Sequence, residues 1–276
     1  MIKLLKLIYF IATTLPSSAL AHSWVERLMK IHRNGTMVGN PGFVRGAVSR
    51  LDPRFNDSQM QHLLPPNDRA TPRISTLDRM CKESQLIGYY SPDLPQLEAH
   101  AGEYISVQYQ ENGHITLPQN TPNKDSSGTV YIYGTSEPSD DDTLLSIHKV
   151  WNKDRTGGDR RGSLLAIFPF DDGRCYQVNN QEASLKRQRE YVKVPMNPQG
   201  ADLWCQNDIK LPVDVSDSFT LYWVWDWPSN KDPMEEIYTS CIDIKIIPGS
   251  RNEVLEYIDG QDLNTAAIKK QLQAWQ

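Results

Sequence analysis

Beyond its first 21 residues the chain has no apolar run of about 20 residues, the length needed to cross a membrane. Basic charge is also scarce, with 29 Lys and Arg against 34 Asp and Glu and a formal net charge of −5. An acidic chain without a basic patch repels phosphate backbones, so nucleic acid is not an expected partner. Only four cysteines occur, Cys81, Cys175, Cys205 and Cys241, and their spacing fits no zinc pattern. Internal repeats, low-complexity tracts, an inter-domain linker and a lipid-anchor tail are all missing. These absences leave a single β-rich domain with no membrane segment of its own.

The first residues form an export signal. Lys3 and Lys6 make a basic start, residues 7–15 an apolar stretch, and residues 16–21 a small, turn-prone end closing on Ala19-Leu20-Ala21. Small side chains at the last and third-last positions suit a signal peptidase, so a cut before His22 is expected, giving a secreted, extracellular protein. In an oxidising compartment four cysteines imply two disulfides, with three possible pairings. Asn34-Gly35-Thr36 and Asn56-Asp57-Ser58 are N-glycosylation sequons at Asn34 and Asn56. The expected organisation is a signal over 1–21, a β-domain over 22–250 and a tail with a short helix over 251–276.

The remaining pattern predicts strands. Residues 24–31 read as a strand ending in an Arg33-Asn34-Gly35 turn. Residues 104–109 and 128–134 alternate, and 163–168, 219–227 and 237–247 are strand-like runs. Residues 144–147 and 191–194 also carry strand character, and 182–190 read as a short helix. Residues 39–95 are rich in turn formers, Leu63-Leu64-Pro65-Pro66-Asn67 among them, and so long an irregular stretch suits a binding surface. Many short strands and few helices predict a β-sandwich.

A terminal His22 offers its α-amine and ring Nδ1 to one metal ion. A secreted chain can also begin with histidine by chance, so a second ligand is needed. Of His32, His62, His100, His114 and His148, His114 stands out because it follows Gly113 in a loop between two alternating strands. Trp223, Trp225 and Trp227 share one strand face, as core or as a sugar-stacking platform. Asp140-Asp141-Asp142 and Asp171-Asp172 are expected to be solvated turn clusters.

Several stretches, taken in order, resemble the lytic polysaccharide monooxygenases, copper enzymes with an immunoglobulin-like sandwich. They are His22, the run from Ala101-Gly102-Glu103 to Tyr109, His114 ahead of Gly128-Thr129-Val130-Tyr131, and Tyr238-Thr239-Ser240-Cys241. The opening His22-Ser23-Trp24-Val25-Glu26 and the Leu-Pro-Pro-Asn run resemble a group of fungal secreted proteins. The resemblance implies an all-β, immunoglobulin/fibronectin III-like sandwich with long loops. It also implies one copper ion held by His22 and His114, with Tyr238 axial and Glu236 beside the metal, these last two as catalytic residues. Cys81 would pair with Cys241, which leaves Cys175 to pair with Cys205. The implied activity is oxidative cleavage of a polysaccharide surface (cellulose, chitin or cell-wall glucan) by a monomer fed by an external electron donor. A copper-binding protein without that activity and a metal-free carbohydrate-binding protein are the rival classes. An insertion over 115–127 and the length of 39–95 depart from the cellulose-active enzymes.

Overall fold

The computed structural model describes residues 22–32, 36–230 and 235–249. The export signal, Asn34 with its turn, and the C-terminal tail lie outside the described residues. In chain order the elements are β1 (Val25–Ile31), β2 (Met37–Gly42), β3 (Leu63–Leu64), β4 (Leu97–Ala99), β5 (Tyr104–Tyr109) and β6 (Thr129–Thr135). They continue as α1 (Leu144–Ile147), β7 (Gly162–Pro169), α2 (Glu182–Glu190), β8 (Cys205–Lys210), β9 (Asp217–Asp226) and β10 (Ile237–Ile246). A sheet ordered β2-β1-β5-β8 faces a sheet ordered β3-β10-β9-β6-β7, with β4 parallel to β10. The chain is an all-β sandwich, as the sequence predicts.

Strand periodicity accounts for the core between the sheets. Ile105, Val107 and Tyr109 of β5 meet Phe219, Leu221, Trp223 and Trp225 of β9 in one buried cluster. The opposite face of the second sheet is buried as well. Tyr222 and Val224 of β9 and Ile237 and Cys241 of β10 pack there with Leu64, Met80, Leu144, Ile147 and Trp151. A strand buried on both faces reads as a continuous apolar run rather than an alternating one, which explains residues 219–227.

The long irregular region supplies Leu64 and Met80 to this outer layer and is fastened in two ways. Cys81 is bonded to Cys241, and Cys175 to Cys205, the pairing the resemblance implies. Arg45, fully buried, donates from Nε and Nη2 to the two Asp243 carboxylate oxygens at 2.9 and 2.6 Å. Thr220 Oγ1 and the Gly88 amide donate to the same carboxylate at 2.7 and 3.0 Å. Burial pushes the Asp243 carboxyl up, but the Arg45 guanidinium and these donors outweigh it and hold it below the ordinary value.

Five expectations are corrected. Residues 144–147 form the helical turn α1, because Leu144 and Ile147, three apart, both face the second core. Residues 191–194 form no strand: Val192 and Val194 are 82% and 71% exposed, so their alternation has nothing to pack against. Leu63 and Leu64, read as loop, add a two-residue strand to the edge of β10. Asp142 is buried rather than solvated, paired with Arg161 and accepting the Tyr222 hydroxyl at 2.7 Å. Asp172 is likewise shielded, its side chain 1% exposed beside Arg174.

One buried group is poorly served. Asp208 on β8 accepts from Gln206 Nε2 at 2.6 Å, while its Oδ2 has no hydrogen-bond partner among the described residues. Burial raises its pKa from 3.8 to about 7. Between those values the folded protein holds a proton that the unfolded chain releases, so this group's contribution to stability falls as pH rises. Asp208→Asn is expected to raise the melting temperature at pH 8 and leave it little changed at pH 4, as read by thermal denaturation. Arg45→Ala, which strands the buried Asp243 charge, should lower the unfolding free energy by about 3–5 kcal/mol in a urea titration.

Candidate metal centre

His22 and His114 come together at one end of the sandwich. His22 sits just ahead of β1, where Ser23 Oγ donates to Gln110 O at 2.8 Å and the Val25 amide to Ser240 Oγ at 3.1 Å. These bonds anchor the start of the strand to β5 and β10 and fix where the His22 nitrogen lies.

His114 is held by a loop built around a buried carboxylate. Glu111 accepts from the amides of Ile115 and Gln177 at 2.7 and 2.8 Å and from the Thr116 hydroxyl. Asn112 and Gly113 both take positive φ, +45° and +77°, which turns the chain so that His114 faces inward. The His114 ring is 7% exposed and packs against Trp227 and Trp225, with centroids 4.9 and 5.5 Å away. Burial, reinforced by the neighbouring His22, pushes its pKa down to about 3, so the ring is neutral at physiological pH.

The His22 backbone nitrogen donates to His114 Nε2 across 3.3 Å. Two nitrogens, each about 2.0–2.1 Å from one ion and at right angles about it, stand about 2.9 Å apart. The two donors are therefore already near the spacing that adjacent ligands of one ion need. Asn112 Nδ2 donates to His22 O at 2.6 Å and lies 3.3 Å from His22 Nδ1. On the other side of the ring, His22 Nε2 is 3.0 Å from Asp57 Oδ2.

Tyr238 and Glu236 form a second group linked to the first through tryptophan. Tyr238 points inward from β10, stacks on Trp225 at 5.0 Å and donates its hydroxyl to Glu236 Oε1 at 2.7 Å. Burial and the adjacent Glu236 both raise its pKa, keeping it a neutral phenol. Glu236 Oε2 pairs with Lys124 Nζ at 2.5 Å. Lys124 also donates to Trp227 O at 2.5 Å and stands 4.3 Å from that ring's centroid. The insertion over 115–127 thus reaches back into the site. Its end is fixed by the Trp225 and Trp227 indoles, which donate to Ser127 O and Ser126 O at 2.8 and 2.7 Å. At Gly128 a Cβ would lie 2.6 Å from Asp226 O, so only glycine fits that turn.

Trp223, Trp225 and Trp227 are buried and serve as core, not as a stacking platform. Beside Tyr238 and Glu236 lies a cavity of about 290 Å³ bordered by Pro65, Asn67 and Lys124. His62, His100 and His148 are engaged elsewhere, with Arg79 O, with Ile247 O and with Tyr133 and Asp226 respectively. Asn56 is exposed, one residue before Asp57. Sequence reading passed over Asp57, Asn112 and Lys124, since isolated polar residues in loops carry no periodic signal.

Two facing sheets with this strand order define an all-β sandwich protein. More particularly, the chain belongs to the family described as Domain of unknown function (DUF7492), which matches residues 19–269. No curated protein matches it. Among solved structures it is similar to the cellulose-active LPMO CelS2 in complex with copper, with TM-score 0.29 and 14% identity over 58% of this chain. That match spans 57% of the CelS2 chain. It is also similar to HiLPMO9B, with TM-score 0.36 and 11% identity over 83% of this chain and 79% of that one. For an AA10 lytic polysaccharide monooxygenase from Streptomyces lividans the values are 0.28, 11%, 62% and 67%.

Because Glu111 gathers the donors that shape the His114 loop, Glu111→Ala should loosen that loop first. Hydrogen exchange at the Ile115 and Gln177 amides is expected to speed up at least tenfold while the β9 and β10 amides stay protected.

Proposed function

We propose that the chain is exported and cut before His22, and that the new terminus and His114 together bind one copper ion used for oxidative cleavage of a polysaccharide. The observation that carries this reading is the 3.3 Å approach of the His22 nitrogen to a buried, neutral His114 Nε2. After the cut that nitrogen becomes an amine, and with Nδ1 of the same residue it completes a set of three nitrogen ligands. Such a set in tetragonal array favours Cu(II) among the divalent metals. Bound copper would supply one-electron chemistry toward oxygen or peroxide, with electrons from an external donor.

This chain's residues have definite parts in that reading. His114 needs no proton removed before it binds, since burial has already made it neutral. Tyr238, held as a phenol, would line the site from the β10 side without adding charge. Glu236 holds the phenol proton through Oε1 and is neutralised through Oε2 by Lys124, so the carboxylate is ordered before any substrate arrives. In sum, one oxygen atom would enter a C–H bond beside the glycosidic bond. Two electrons and two protons would take the other to water. The substrate would be cellulose, chitin or a cell-wall glucan, presented at the rim formed by residues 39–95 and 115–127. With its three tryptophans buried, the strand offers no aromatic platform to support a metal-free carbohydrate binder.

The test compares protein beginning at His22 with protein carrying one extra residue before it. Calorimetry should show one tightly bound copper ion in the first and a loss of at least 100-fold in affinity in the second, with equal melting temperatures. With reductant, the first should release oxidised oligosaccharides from at least one of the three polysaccharides. Copper binding without such products would leave a metal-binding protein, and no copper binding would sink the proposal.

A further inference from the structure

The carboxylate at the far side of the His22 ring, Asp57, has no part in the metal-site reading above. Asp57 Oδ2 lies 3.0 Å from His22 Nε2, and the two side chains are 38% and 28% exposed. A carboxylate can only accept, so the nitrogen facing it must carry the hydrogen. In a neutral imidazole the other nitrogen, Nδ1, then keeps its lone pair. The group nearest Nδ1 agrees. Asn112 Nδ2, a donor, lies 3.3 Å from it and is oriented by its own bond to His22 O at 2.6 Å. The opposite tautomer would turn an N–H toward the Asn112 amide and a lone pair toward the Asp57 carboxylate, two repulsive contacts in place of two attractive ones.

Asp57 is not a loose surface acid. Its carbonyl accepts from the amides of Met60 and Gln61 at 3.0 and 2.8 Å, closing a short turn. Just ahead of it, Phe55 packs on Trp24 with centroids 6.3 Å apart. Arg50 completes the clamp by donating to Glu26 Oε1 from Nε and Nη2 at 2.9 and 2.6 Å. Its guanidinium also lies over the Trp24 and Phe55 rings at 4.8 and 5.0 Å. The segment that carries Asp57 therefore grips the stretch that follows His22 on the side chains of Trp24 and Glu26.

We infer that Asp57 is the positioning residue of the site: it holds the His22 ring as the Nε2–H tautomer and so leaves Nδ1 as the nitrogen with a lone pair, which a metal ion would share in place of the Asn112 contact. The inference rests on the copper reading above for its purpose, but its geometry stands without a metal. A carboxylate hydrogen-bonded to the outer nitrogen fixes the ring's orientation and makes the inner nitrogen more basic. Losing such a partner costs a histidine site about 10–100-fold in metal affinity.

The test has two independent arms. Nitrogen-15 NMR of the metal-free protein beginning at His22 should show the Nε2–H tautomer, and the Nδ1–H tautomer would overturn the inference outright. In the second arm Asp57→Ala, Asp57→Glu and wild type are compared for Cu(II) affinity by calorimetry and for nitrogen hyperfine structure by spin resonance. Asp57→Ala is expected to bind about 10–100-fold more weakly with an altered spectrum, and Asp57→Glu to recover much of both. Unchanged affinity and spectrum in Asp57→Ala would overturn the inference while leaving the copper reading intact. A wild type that binds no copper but shows the Nε2–H tautomer would remove the copper reading and leave the ring-holding role standing.

Discussion

Burial of the β9–β10 ribbon on both of its faces is the constraint on which the rest of the structure depends. Ten residues of each strand pair without a break, from Ile237 opposite Asp226 to Ile246 opposite Asp217. The inward face closes the sandwich core and the outward face must be covered by something else. Part of that cover is Leu144, Ile147 and Trp151; the rest is the region between β2 and β4, which has too little regular structure to hold itself together. It is secured by what it can attach to the ribbon: a disulfide at Cys241, a doubly hydrogen-bonded ion pair at Asp243 and two apolar residues beside Ile237. A surface that would otherwise be exposed thus gives an irregular segment a fixed shape.

That fixed shape matters at the end of the molecule where the histidines meet. Each side chain there is held by a specific partner, some near in the chain and some far. Asn112 and Asp57 bracket the His22 ring, Glu111 supports the loop of His114, and Lys124 ties Glu236 down beside Tyr238. The aromatic stack of Trp225, Trp227 and Tyr238 lies between the two groups and excludes water from His114. Dryness keeps that imidazole neutral, and the carboxylates and Lys124 satisfy one another at the edge, where solvent can still reach them. Polar order at the rim over an apolar floor suits a site that is assembled before its ligand arrives.

The fold was legible in the sequence wherever a strand had a dry face. Alternation marks β5 and β6, and the unbroken apolar run marks β9. The edge strand β8 carries no clear signal because Asn207 interrupts its core face between Cys205 and Ile209 while Gln206 and Asp208 fill the other face, and β4 carries none because three residues are too few to show a period. At the site, His22 was legible from the peptidase signature and His114 from the glycine before it. Tyr238 and Glu236 were reached only through the resemblance, by their spacing from Cys241. Asp57 and Lys124 had no signal at all, since each is one charged residue in a loop, and what matters about them is the partner that folding brings near.

The way residues 39–95 are fastened also limits how such a chain can diversify. A surface loop can be exchanged as a cassette when its attachments are its two ends. Here the attachments include Cys241, Asp243 and Thr220, all on the two central strands of the second sheet. A graft of this region onto another sandwich would have to carry those strand positions with it. The 115–127 insertion is tied to the same ribbon through Lys124 and the Trp225 and Trp227 indoles, so both parts of the rim around His22 are inherited together with the strands they cover.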